Sequence, residues 1–297
     1  MENHLARVLV CLALLFTGGG RALAAEPLPA SAPAGAQRPK TVLLLGDSLI
    51  VTSFGEYLEK SLNESPGVRA VRRAKSSTGL ARPDFFDWMM VGREEVERHK
   101  PDVVVVIMGG NDGQGLTDHE GKAVVQWGAP GWEAAYRQRV QEFLVVLEAP
   151  GRKILWVELP VTGLPNFERK LRVIRRVLRE AVSAHGSSTH LDTKPFFTDA
   201  GGGLVRTARV EGFRKPMPLR MADGVHFTVA GGRYFADSVY PAVMGLLGLG
   251  GAAGPEPKAP AVAKTTPAEP RAPKPALCRE FDAASEVPLS PVALCQP

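Results

Sequence analysis

Between residues 40 and 247, short apolar runs alternate with segments whose apolar positions recur at helical spacing. Residues 41–45 predict a short buried strand. A helical pattern follows over 49–61, in which Leu49, Phe54, Leu58 and Leu62 share one face. Residues 68–73 predict a weaker strand, and 85–99 a helix rich in Glu toward its end. The strongest strand signal is 102–108 (DVVVVIM), whose consecutive β-branched residues suit a sheet covered on both faces. The alternation continues with a helix over 133–147, a strand over 153–158, a helix over 167–184, a short strand over 189–192 and a last helix over 230–247. Strands alternating with helices imply a parallel sheet with helices on both sides. Five such strands predict an α/β fold, a three-layer α/β/α sandwich of the flavodoxin-like kind. In that architecture ligands bind outside the carboxyl ends of the strands, where the strand order reverses.

The flanks read differently. Arg7 precedes an apolar run, 8–16, and small residues lead to Ala22-Leu23-Ala24-Ala25. That order predicts a secretory signal peptide over 1–25, with cleavage near Ala24 or Ala25. An uncleaved anchor is the competing reading, although the run is short for a membrane span. The expectation is therefore an exported protein, periplasmic or secreted, with no stable membrane span after cleavage. Residues 26–39 read as a flexible, Pro/Ala-rich lead-in, 40–248 as the folded domain, and 249–297 as a Pro/Ala-rich tail. Cys11 would leave with the leader. Cys278 and Cys295 in the tail are either a disulfide, as export permits, or two free thiols.

Composition changes this picture little. The 297 residues, 44% of them hydrophobic, suffice for one large α/β domain that needs no disulfide scaffold. The net charge of +5 reads first as solubility and second as affinity for an anionic cell-wall polymer. No nucleic-acid-binding motif is present. The helix over 167–184 carries Arg169, Lys170, Arg172, Arg175, Arg176 and Arg179 beside apolar Phe167, Leu171, Ile174 and Leu178. A solvated outer face is the first reading of those charges, and a patch for an acidic polymer the second.

Four short blocks carry candidate chemistry. Gly46-Asp47-Ser48-Leu49 follows the first strand and opens the first helix, so Ser48 is either a nucleophile at the sheet edge or a helix cap. Asp223 stands three residues before His226, close enough to accept the Nδ1 proton and leave Nε2 free for a serine. A surface turn is the alternative. Asn111, in Gly109-Gly110-Asn111-Asp112 after the strongest strand, is an oxyanion donor or a turn residue. Gly79, after the second strand, presents a bare N–H or simply serves a loop. Each signal is weak alone. Their joint placement after successive strands puts all four on one rim. Arg82, Gln114, Trp127 and Trp132 lie near these loops and are candidates for a sugar subsite, with packing as the competing role. Asp112 is a candidate substrate contact and Asp47 a cap, each with a supporting role as the alternative. Asp192 and Asp199 compete with Asp223 but lack its short spacing to the histidine. His99, His119, His185 and His190 lack metal-ligand spacing, and no metal site is expected.

Together these blocks resemble the SGNH/GDSL hydrolase superfamily: GDSL at 46–49, Gly79 in SSTGL, GGND at 109–112 and DGVHFT at 223–228. The wording STGLARPDFFDW and GGNDGQG is similar to a bacterial, exported subgroup. The resemblance covers residues 40–247 and implies roles. Ser48 would attack an ester carbonyl, His226 would act as base and then acid, and Asp223 would orient it. The N–H groups of Ser48 and Gly79 and the Asn111 side chain would hold the oxyanion. No cofactor is required. The implied substrate is an acylated small molecule, polysaccharide or peptidoglycan, most simply an O-acetyl ester of an envelope glycan. Three alternatives stay open: a glycan O-acyltransferase with the same residues, a lipase or thioesterase, and a non-catalytic envelope-binding module.

Overall fold

The structure is a computed structural model that describes residues 38–250. The expected leader over 1–25, nearly all of the expected lead-in, and the tail with Cys278 and Cys295 lie outside the described residues. The elements run β1 (Lys40–Gly46), α1 (Ser48–Val51), α2 (Ser53–Asn63), β2 (Val68–Ala74), α3 (Trp88–His99), β3 (Val103–Ile107), β4 (Leu116–Thr117), β5 (Ala123–Val125), α4 (Trp132–Leu147), β6 (Lys153–Val157), α5 (Pro165–Ser183), β7 (Ser188–Leu191), α6 (Lys194–Phe197), β8 (Thr207–Ala208), β9 (Met217–Pro218) and α7 (Val229–Leu246).

Five strands form one parallel sheet in the order β2-β1-β3-β6-β7, the flavodoxin-like order. Helix α2 packs on α7, and α4 packs on α3 and α5, which gives a layer on each face of the sheet. Residues 42–45 and 103–107 have no exposed surface, as strands covered on both faces require. The outer strand β2 instead sets buried Val68 and Ala70 on one face and exposed Arg69 and Arg73 on the other, and charge on an edge discourages further pairing. The order reverses at β1 and β3, so the crevice for a ligand lies beyond Gly46 and Ile107. Among the described residues no helix is long and apolar enough to cross a membrane.

The main elements follow the hydrophobic pattern, and the departures have local causes. The helix expected over 49–61 is two helices. Thr52 is extended, and both its N–H (3.1 Å) and its hydroxyl (2.9 Å) donate to the Ser48 carbonyl, closing a single turn before α2 begins. The helix expected from 85 starts at Trp88, because the Asp87 carboxylate caps the Met90 N–H at 3.0 Å and the preceding residues turn on the Arg82 carbonyl. Two small antiparallel ladders, β4–β5 and β8–β9, and the one-turn α6 are too short to leave a periodic signal.

Candidate functional site

Ser48 follows β1 through a turn that only a residue without a side chain permits. A Cβ on Gly46 would sit 2.2 Å from the Ile107 carbonyl oxygen. This close approach of β1 to the end of β3 sets Ser48 beside the loop that carries Asn111. The Ser48 hydroxyl lies 2.8 Å from His226 Nε2, and His226 Nδ1 lies 2.7 Å from Asp223 Oδ2. Asp223 also accepts the backbone N–H groups of Val225 and His226, both at 2.9 Å, so one carboxylate shapes the turn and fixes the ring. Burial opposes ionisation of Asp223. The hydrogen bonds from the His226 ring and from the two N–H groups outweigh it and hold the carboxyl at about 2. Asp192 and Asp199 are occupied elsewhere, on the N–H groups of Lys194 and of Gly201 and Gly203.

Asn111 donates one amide hydrogen to the Thr78 carbonyl at 2.9 Å, which ties it to the residue before Gly79. Its second amide hydrogen has no partner among the described residues, and Asn111 lines the cleft together with Ser48 and His226. The backbone N–H groups of Ser48 and Gly79 donate to nothing among the described residues. Gly79 also needs to be glycine: a Cβ there would lie 2.1 Å from Asp112 Oδ1. The split of the first helix matters here. A four-residue α1 offers a lesser aligned dipole than the long helix expected from 49, so an oxyanion held here would depend on these individual donors.

Four expected substrate contacts do not face the cleft. Asp112 is 1% exposed and accepts the N–H groups of Leu80 (3.0 Å) and Ala81 (2.9 Å) and the Tyr136 hydroxyl (2.7 Å). It holds the Gly79 loop from below. Trp132 is also 1% exposed, stacked on Tyr136, with its indole N–H on the Gln114 carbonyl. Gln114 spends its amide on the Asn111 carbonyl at 2.6 Å. Arg82 forms a fork with Asp84, at 2.9 and 2.7 Å. Asp112, Gln114 and Trp132 spend their polar atoms on neighbouring backbone groups, and Arg82 spends its guanidinium on a carboxylate. The four other histidines among the described residues each face a carboxylate: His99 on Glu95, His119 on Asp87, His185 on Glu148 and His190 on Glu158.

The structure adds residues that pattern reading passed over. The cleft wall opposite Asn111 is Leu159, Pro160, Thr162, Phe167 and Leu171, from the loop after β6 and the start of α5. Arg175 donates to the Leu159 and Pro160 carbonyls and pairs with Glu168, which in turn accepts the Thr162 N–H at 2.8 Å. Arg220 joins that wall to the histidine loop. It donates to the Val161 carbonyl at 2.8 Å and to the Val225 carbonyl, and its guanidinium carbon lies 3.9 Å from the Phe227 ring centroid. Burial, with the nearby Arg175 charge, pushes Arg220 down to about 10. The wall could have been found from the rule that loops after parallel strands carry sites. An arginine whose partners are carbonyls leaves no trace in sequence.

Asp47 lies beneath the serine, 2% exposed, and accepts the Leu49 N–H at 3.1 Å. Burial pushes its carboxyl from the ordinary 3.8 to about 7. The Leu49 N–H works against that rise and the nearby Asp112 charge with it. Ionisation is thus harder in the folded chain than in the unfolded one. Asp47's contribution to stability is full below pH 3.8 and is lost as pH climbs through 7. Asp47→Asn, which copies the protonated form, should remove that part of the slope. Relative to wild type it should gain up to about 4 kcal/mol between pH 4 and pH 8. Urea unfolding of both proteins at the two pH values measures this, and an equal difference at both would refute it.

The sequence profile of a family described as "Protein of unknown function (DUF459)" matches residues 41–242. No curated protein matches the sequence. Among solved structures the chain is similar to a psychrotrophic esterase, EstA, from Pseudoalteromonas sp., inhibited by monoethylphosphonate. That match has 13% identity and a TM-score of 0.48, and covers 70% of this chain and 99% of that one. It is similar to an acetyl xylan esterase from Geobacillus stearothermophilus, with 19% identity, a TM-score of 0.47, and coverage of 72% and 97%. It is also similar to a GDSL-like lipase from Bacteroides thetaiotaomicron, with 15% identity, a TM-score of 0.47, and coverage of 72% and 92%.

Proposed function

The chain belongs to the family described as DUF459 and folds around a five-stranded parallel sheet, and from that premise we propose that it is a serine esterase of the SGNH kind for short acyl esters, with an envelope glycan as its substrate. The observation that carries this reading is the line Ser48 Oγ, His226, Asp223, with successive separations of 2.8 and 2.7 Å. His226 Nε2 takes the hydroxyl proton as Ser48 Oγ bonds to the ester carbon. The carbonyl electrons move onto oxygen, facing the Ser48 and Gly79 N–H groups and the Asn111 amide. Collapse of this intermediate breaks the bond to the alcohol, which leaves with the proton from His226. Water repeats the sequence on the acyl-serine and frees the acid. Asp223, ionised down to about pH 2, keeps the ring in the tautomer this needs. The leader-like sequence over 1–25 supports action outside the cytoplasm.

The size of the cleft supports the short acyl group. Its interior holds about 70 Å³ and is lined by the apolar side chains of Leu159, Phe167 and Leu171. That is room for a few heavy atoms and not for a fatty chain. Hydrolysis of p-nitrophenyl esters in a chain-length series tests this. The acetyl ester should exceed the octanoyl ester in kcat/KM by at least about tenfold. Equal or faster turnover of the octanoyl ester would move the protein to the lipases or thioesterases.

A further inference from the structure

Next to the cleft, on the other side of the first turns of α5, lies an open groove of about 580 Å³. That is within the roughly 300–1,000 Å³ of small-molecule sites. Trp127 forms part of its wall, half-buried and set edge-on against Trp132 with ring centroids 4.4 Å apart. Asn166, Arg169 and Lys170 line the facing side and are exposed. Lys170 places its ammonium 5.8 Å from the Trp127 ring centroid and donates to the Gly113 carbonyl at 2.9 Å. Gly113 stands two residues beyond Asn111, so the groove and the cleft share one loop and one helix end.

The six basic residues of α5 divide in two. Arg175, Arg176 and Arg179 pair with Glu168, Glu133 and Glu158. Arg169, Lys170 and Arg172 have no carboxylate within ion-pair distance among the described residues. The unpaired charges gather at the end of α5 nearest the cleft. A helix of this kind gains nothing from cations near its start, where the dipole is positive. Glu133 also lines the groove, but its carboxylate is paired with Arg176, whereas Arg169 and Lys170 on the same wall have no carboxylate partner among the described residues.

We propose that this groove is a second subsite of the same active centre, holding a carboxylate-bearing sugar of the polymer whose ester lies over Ser48. The inference rests on the esterase reading for its link to Ser48. A sugar buries its apolar face on the Trp127 ring, while its carboxylate takes charge-assisted hydrogen bonds from Arg169 and Lys170. The substrate class is therefore an acidic, O-acylated polysaccharide rather than a neutral one.

The test has two arms. In the first, the wild-type full chain is titrated calorimetrically with a short, unesterified oligogalacturonate and with a neutral xylo-oligosaccharide. The acidic oligomer should bind at least about tenfold tighter, and its affinity should fall with added salt. Trp127→Ala and Arg169→Glu should each weaken it by about tenfold. In the second arm, acetate release from O-acetylated polygalacturonate is divided by p-nitrophenyl acetate turnover, both as kcat/KM. That ratio should drop about tenfold in the same variants. Equal binding of the two oligomers, or an unchanged ratio, overturns the subsite, as does binding to anionic vesicles without binding to the oligogalacturonate. If the oligomer binds as expected but no ester is ever cleaved, the esterase reading fails and the acidic-sugar groove stands.

Discussion

Ser48→Ala should reduce kcat/KM for p-nitrophenyl acetate by at least about 10⁴-fold while leaving the thermal midpoint near that of wild type. The size follows from the covalent step. Without Oγ no acyl-enzyme forms, and what remains is the capacity of the oxyanion donors to help water attack directly. The fold should tolerate the change. The Ser48 side chain contacts His226, whereas the turn is held by backbone groups: the Thr52 N–H and hydroxyl on the Ser48 carbonyl, and the Asp47 carboxylate on the Leu49 N–H. His226→Ala should lose nearly as much, and the double variant no more than either alone, because the two side chains act as one device. Wild-type rates in Ser48→Ala would end the serine-esterase reading. A double variant far slower than both singles would mean that the histidine serves another path.

The sheet and its rim could be read in advance because burial imposes a long signal. Residues 103–107 have neighbours on both faces, so every position must be apolar, and the run stands out. The placement of Ser48, Asn111 and His226 on one rim then follows from parallel topology. What escaped reading is set by single contacts. The break at Thr52 depends on one hydroxyl reaching back to the Ser48 carbonyl, while Phe54, Leu58 and Leu62 keep their helical spacing across it. Asp112 lies in a rim loop and Trp132 opens α4, yet each turns inward to satisfy backbone groups of the rim loops. Sequence proximity to a motif does not say which way a side chain points. Arg220 binds carbonyls, which every residue possesses, so no partner type marks it. The basic face of α5 looked uniform. Only the assignment of carboxylates to Arg175, Arg176 and Arg179 separated a paired half from an unpaired one.

Asn111→Ala should lower kcat by about 10²–10³-fold, with a much smaller change in KM for a small ester. The geometry makes this residue serve twice. One amide hydrogen fixes the Thr78 carbonyl at 2.9 Å, and thereby the peptide that carries the Gly79 N–H. The other has no partner among the described residues, and the residue lines the cleft where the proposed reaction would place charge on the carbonyl oxygen. Its removal costs a donor that acts in the transition state rather than the ground state, so the loss belongs in kcat. It also frees the Gly79 loop on one side, although Asp112 still holds Leu80 and Ala81 from beneath at 3.0 and 2.9 Å. The two contributions can be separated. Asp112→Asn leaves the Asn111 amide in place but weakens the support of the loop, so it should cost less in kcat and more in thermal stability than Asn111→Ala. Stopped-flow rates of p-nitrophenol release, set beside unfolding midpoints for the two variants, decide the matter. An Asn111→Ala enzyme with unaltered kcat would remove this side chain from the oxyanion hole. The Ser48 and Gly79 N–H groups would then carry the negative charge alone.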